Sequence, residues 1–211
     1  MFEEGILVCH RCIVRGAESL NKLVNILNDL YGSSEEVDTL EERFIFSPKE
    51  EAGNLNVINR ETNMILLYDK NNVVVQHVVS TVPYNKPLPI SGSIEVFGMR
   101  QSQASNANLR RLFRRCGFTL KSDFAKKGLR FQSRHDLEIV LTRPYNIEFN
   151  ERTAYGTGVP SWDNKGGAPP LGPDYLLEMR KIIINQSELQ NSVDSIVDLH
   201  SKLAVLVERS S

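Results

Sequence analysis

A chain of 211 residues with 41% apolar and 24% charged side chains can bury a sizeable core without covalent staples and has an ordinary globular balance. A net charge of −1 excludes a general affinity for polyanions, and three cysteines, an odd number, exclude a complete disulfide framework. No stretch approaches the roughly 20 apolar residues needed to span a bilayer as a helix.

Residues 6–14 (ILVCHRCIV) are dense in β-branched and apolar types and predict a buried strand. Leu20, Leu23, Val24, Leu27 and Leu30 then recur at helical spacing, with Gly32 placed to cap the helix. Strands are expected at Thr39–Ser47, Asn63–Asp69, Val73–Val79 and Gly92–Met99, with a hairpin turn at Asp69-Lys70-Asn71-Asn72. The polar segment 48–62 reads as an exposed loop, and Pro83, Pro87 and Pro89 break any ladder in the next connection. A helix over Asn106–Cys116 stops at Gly117. Strands follow at Phe118–Lys127, Leu129–Arg134 and Leu137–Arg143. The segment 154–173 holds five Gly and four Pro and predicts a long exposed loop. Tyr175–Ile184 reads as a strand. A closing helix over Ser187–Val207 carries Leu189, Val193, Ile196, His200, Leu203 and Val207 on one side.

About nine strands and three helices, without strand–helix alternation, predict a mostly β (α+β) protein. So many antiparallel strands must stack or close on themselves. The expectation is a single β-barrel domain over residues 1–211, with helices on its outside and a long C-terminal helix. The acidic opening Met1-Phe2-Glu3-Glu4 is not a secretory signal, so an intracellular protein is expected and the sequon Asn185-Gln186-Ser187 is silent.

The charge is unevenly spread. From Asn106 to Arg134 nine Arg or Lys meet one Asp, whereas residues 1–52 hold eleven acidic and five basic groups. Such a layout favours oriented docking. Within the basic segment Leu109, Leu112, Phe113 and Cys116 form an apolar stripe, and Arg110, Arg111, Arg114 and Arg115 fall between them as a basic docking face. Exposed interleaved aromatics are lacking, so a protein-docking face outweighs a nucleic-acid grip by the 106–134 segment. In the loop 154–173, Trp162 and the weaker Tyr155 are candidate partner anchors.

Cys9-His10-Arg11-Cys12 invites a zinc reading, but strand residues three apart face opposite ways and no second CxxC exists. His77, His135 and His200 stand alone, and no metal, cofactor or catalytic set is expected. One enzymatic alternative has substance. Asp136 with Glu138, and Glu178 with Arg180, alternate along strands and can line a barrel interior, as in a tunnel-type metal-dependent phosphohydrolase. Such sites need repeated Glu-x-Glu carboxylates. Here Glu41 and Glu42 are adjacent and diverge, and Glu95 stands alone.

The segment LFRRCGFTLKSDFAKKGLRFQSRHDLEIVLTRPY carries a family resemblance. Gly117-Phe118, then Phe124-Ala125-Lys126-Lys127-Gly128 and Phe131, resemble the pattern of the Mediator head-module subunit 18 family, as do the run Tyr175–Arg180 with its following helix and the early strand–helix pair. The resemblance implies one antiparallel barrel akin to tunnel-type RNA triphosphatases, without enzymatic activity. It also implies a heterodimer with the related barrel of Mediator subunit 20 and a groove for the C-terminal helix of Mediator subunit 8. The expected role is nuclear, as an interaction subunit of a coactivator in RNA polymerase II transcription beside the general initiation factors.

Overall fold

The computed structural model describes residues 2–46, 62–69, 72–82, 94–104, 109–132, 137–145 and 170–209. Trp162, Tyr155, Asp136 and His135 lie outside the described residues, as do the turn residues 70–71, the prolines 83, 87 and 89, and most of the two expected loops. In chain order the elements are β1 (Phe2–Val14), α1 (Ala17–Tyr31), β2 (Glu35–Phe46), β3 (Thr62–Asp69), β4 (Asn72–Val82) and β5 (Ile94–Ala104). There follow α2 (Leu109–Arg115), β6 (Thr119–Gln132), β7 (Glu138–Tyr145), β8 (Tyr175–Ile183), α3 (Leu189–Leu203) and β9 (Glu208–Arg209).

The sheet runs β5-β4-β3-β2-β6-β7-β8-β1, and β1 returns to β5, so eight antiparallel strands close into a barrel. Closure removes the edges that an open sheet of this size would expose. The closing ladder pairs Phe2 with Ser102 through His10 with Ile94, while Ile6–Val14 of the same strand pair with β8. β1 therefore starts four residues before the expected Ile6. Glu3, Glu4 and Gly5 are poor strand formers, and the partner strand supplies what their propensity lacks. The two-residue β9 adds to β1 opposite Cys12 and Ile13.

The two strands expected on either side of Gly128 are one, β6. Gly128 does not break the strand. A Cβ there would collide with the backbone of Leu141 and Thr142, so the glycine permits the close approach of β7. At the end of α2, Gly117 adopts φ 88° and Phe118 N–H donates to Phe113 O at 2.9 Å, which turns the chain sharply into β6.

Two apolar clusters lie on the outside of the barrel. In the larger, Val8, Val14, Leu177 and Met179 of the wall pack against Leu23 and Leu27 of α1 and against Val193, Ile196 and Leu203 of α3. Leu30, expected on the dry face of α1, is half exposed. α3 is preceded by a 3-10 turn at Gln186–Glu188 and ends at Leu203, earlier than expected, although Val207 remains buried. In the smaller cluster Phe113 of α2 stacks edge-on to Phe44, with Leu40, Leu66, Tyr68 and Val73 around it.

Candidate functional site

Side chains alternate along a strand, so burying one face of each strand under the helices turns the other face into the barrel. On β1, Val8, His10, Cys12 and Val14 face the helices, leaving Cys9 and Arg11 inward. The divergence of the two thiols is as expected. Register then places Glu178 and Arg180 of β8, Glu138 of β7 and Lys126 and Arg130 of β6 inward as well. The adjacent Glu41 and Glu42 do diverge: Glu41 faces the interior, and Glu42 turns out to meet Tyr68 and Arg110.

The interior is a continuous ion-pair chain. Glu95 of β5 pairs with Arg11 of β1, whose Nε donates to Glu178 at 3.0 Å. Glu178 Oε2 lies 3.0 Å from Lys126 Nζ, a contact that passes over β7 and is possible only on the concave side. The same ammonium lies 2.9 Å from Glu41 Oε2, and Glu41 also accepts from Arg43 Nε at 2.6 Å. A second group joins Glu138 to Arg180 at 2.6 Å and to Arg130 at 2.8 Å. Glu95, which belongs to no carboxylate repeat, is thus tied to the interior through Arg11.

Burial would push these carboxyls up, but the neighbouring cations more than offset it. Glu178 is held at about 2 by Lys126, Arg180 and Arg11, and Glu41 and Glu138 are also held below the usual carboxylate range. Among the described residues four carboxylates meet five cations, Arg11, Arg43, Lys126, Arg130 and Arg180, so the tunnel is charged but nearly compensated. Cys9, within this field, has its thiol raised to about 11 by burial, partly opposed by Arg11.

A divalent cation of the kind used by tunnel phosphohydrolases needs several carboxylate oxygens converging on one point. Here Lys126 Nζ occupies the point between Glu41 and Glu178. Among the described residues no three interior carboxylates converge closely enough to share an ion. The interior as built does not fit such a metal.

The four arginines of α2 do not act alike. Arg111, Arg114 and Arg115 are exposed, whereas Arg110 reaches Glu42 at 3.2 Å and Asp123 at 3.5 Å and is only 17% exposed. Leu112, expected in the packing stripe, is half exposed, and Cys116 is exposed. The helix is short and contacts the wall mainly through Phe113, which leaves its remaining positions to solvent.

A groove of about 440 Å³ opens on the outer wall between α1, the start of β2, and the later parts of β6 and β7. Leu20, Val24, Leu129 and Leu141 line it, together with the cross-strand pair Asp38 and Lys127, 3.6 Å apart. The end of the long loop is fixed beside it, where Leu171 N–H donates to Pro144 O at 2.9 Å and Arg143 donates to Gly172 O at 3.1 Å.

Sequence reasoning missed one cluster. His200 of α3, read as standing alone, meets His10 and Cys12 of β1. Two signals were available, the i, i+2 spacing of His10 and Cys12 and the place of His200 on the apolar stripe of the closing helix, but nothing local joins them because His200 lies 188 residues beyond Cys12.

No protein-family model matches the sequence, and no curated protein matches it. Solved structures share the fold. A chain of the Schizosaccharomyces pombe Mediator head module superposes with a TM-score of 0.62 at 10% identity, over 99% of this chain and 97% of that one. A Pyrococcus horikoshii protein gives 0.54 at 12% identity, over 96% and 94%. A putative adenylate cyclase of Vibrio parahaemolyticus gives 0.52 at 9% identity, over 96% and 94%. The likeness establishes the barrel fold. It also corrects the expectation that the chain has no enzymatic activity, because the same architecture is shared with a protein described as an enzyme.

Proposed function

We propose that this protein is an interaction subunit of a Mediator head module, equivalent to subunit 18, acting in the nucleus in RNA polymerase II transcription. The observation that carries this reading is the end-to-end match with a chain of the fission-yeast head module, across 99% of this chain. The residues that carry the sequence resemblance have structural reasons to be there, which supports it further. Gly117 makes the turn after α2, Lys126 ties together the interior, Gly128 admits β7, and Phe131 lies in the core.

In this reading the partners are the related barrel of Mediator subunit 20 and a C-terminal helix of Mediator subunit 8. The groove beside α1 suits an amphipathic helix, since its lining combines Leu20, Val24, Leu129 and Leu141 with the charged Asp38 and Lys127. Trp162 and Tyr155 are assigned as partner anchors, and Arg111, Arg114 and Arg115 as the basic docking face.

A second reading, hydrolysis of a polyphosphate in the tunnel, draws on the five inward cations. One experiment separates the two. Purification of the tagged chain from its native cells is expected to bring down other Mediator head subunits. Isolation without them, together with magnesium- or manganese-dependent release of phosphate from a nucleoside triphosphate that Glu138→Ala abolishes, would overturn the assignment in favour of the enzyme.

A further inference from the structure

Beneath α3, inside the larger apolar cluster, three polar side chains meet. His10 Nε2 lies 3.0 Å from His200 Nδ1, and Cys12 Sγ lies 3.2 Å and 3.4 Å from those same two nitrogens. All three residues are nearly fully buried, at 1%, 1% and 3% exposure. Their surroundings include Val8, Val14, Val193, Ile196, Leu199 and Leu203, which offer no polar atoms from their side chains. Burying two imidazoles and a thiol in such a place is costly unless their polar atoms are used.

The donor set is chemically specific. Two imidazoles and a thiolate are the ligands that zinc prefers, and neither calcium nor magnesium accepts sulfur readily. The geometry is also close. A tetrahedral ion bonded at about 2.0 Å to nitrogen and about 2.3 Å to sulfur separates its donors by roughly 3.3–3.6 Å. The present separations are a few tenths of an ångström shorter, and small side-chain rotations open them. The strand supplies the pair His10 and Cys12 on one face, and the helix supplies the third ligand from above.

We propose that His10 Nε2, Cys12 Sγ and His200 Nδ1 bind one zinc ion. On binding, the Cys12 thiol loses its proton to solvent, the two imidazoles coordinate as neutral ligands, and a water molecule or hydroxide completes four-coordination. The ion is a clip: it fastens α3 to β1, two elements at opposite ends of the chain, and so anchors the C-terminal helix on the barrel. Cys9, three residues before Cys12 and on the inner face of the wall, takes no part. The site stands on its own geometry and is independent of the Mediator reading.

The test uses the full chain, purified under reducing conditions, loaded with zinc and then dialysed against a weak chelator. Elemental analysis is expected to find about one zinc per chain, falling at least about tenfold in Cys12→Ser and in His200→Gln but unchanged in Cys9→Ser. Cobalt(II) in place of zinc is expected to give tetrahedral visible absorption and a thiolate-to-metal charge-transfer band, the latter lost in Cys12→Ser. Because a variant can fail to fold, the wild-type cobalt spectrum decides independently. A wild-type chain that retains no zinc, one that shows no charge-transfer band, or one whose zinc survives both ligand substitutions would overturn the proposal. The first two results would mean that the three side chains form a buried hydrogen-bonded cluster that holds no metal.

Discussion

Lys126 concentrates much of the chemistry of this barrel in one side chain. Its ammonium is nearly buried between Glu41 and Glu178, two carboxylates that burial alone would drive toward protonation. Replacing it removes the shared cation and leaves both charges in a medium that solvates them poorly. Lys126→Met is therefore expected to cost about 3–5 kcal/mol of unfolding free energy at pH 7, read from urea denaturation. Part of that loss should return near pH 5, where the orphaned carboxyls can take up protons. A loss of less than about 1 kcal/mol would show that the bridge contributes little.

At the scale of the element, α2 shows how a charge-rich helix divides its labour. The sequence pattern assigns all four arginines to one wet face, but the helix sits where Glu42 and Asp123 project from the neighbouring strands. Arg110 compensates Glu42, whose carboxyl burial pushes up against the pull of that guanidinium. Arg110→Ala is expected to destabilise by about 2–3 kcal/mol, whereas Arg111→Ala should stay within about 0.5 kcal/mol in the same thermal or urea measurement. Equal effects would mean that Arg110 is as solvated as its neighbours. The loss of Leu112 from the expected stripe has the same origin. Helical periodicity reports which positions can share a face, not how wide a surface the partner offers, and β2 and β6 meet α2 mainly at Phe113.

For the whole molecule the compensated interior sets the response to acid. Glu178 titrates at about 2 in the folded state against an ordinary value of 4.5, and Glu41 and Glu138 are lowered too. Each lowered carboxyl contributes stability that is present above its unfolded value and lost as pH falls through its folded one. For Glu178 that contribution is on the order of 3 kcal/mol at pH 7. Glu42, raised rather than lowered, acts in the opposite sense and favours the folded state as it protonates. The urea midpoint is expected to fall steadily from pH 5 to pH 2. Glu178→Gln should flatten that fall, and an unchanged slope would assign the acid sensitivity elsewhere.

Much of the secondary structure was legible because local chemistry announces it. Alternation and β-branched runs mark the strands, leucine spacing marks α1, the spacing of mixed apolar residues marks α3, and Gly32 and Gly117 mark stops. The barrel class followed from strand count and the cost of open edges. What reads poorly from sequence is anything that long-range pairing decides. Propensity does not reveal that Phe2–Gly5 close the sheet, because their partners lie about a hundred residues away. Gly128 looks like a break until β7 is set beside it.

The sequence by itself determined the alphabet of this protein: a closed antiparallel barrel, outer helices, opposed cysteines, diverging Glu41 and Glu42, and a basic segment. Only the tertiary structure decided which charges meet. It aligned Arg11, Glu178, Lys126 and Glu41 into one compensated chain, withdrew Arg110 from the basic face, and set His200 against His10 and Cys12. The physical reason is that a strand's alternation fixes the face on which a side chain lies, whereas barrel closure and helix docking fix its neighbours. Electrostatic and coordination chemistry depends on neighbours within a few ångströms, and those come from the fold.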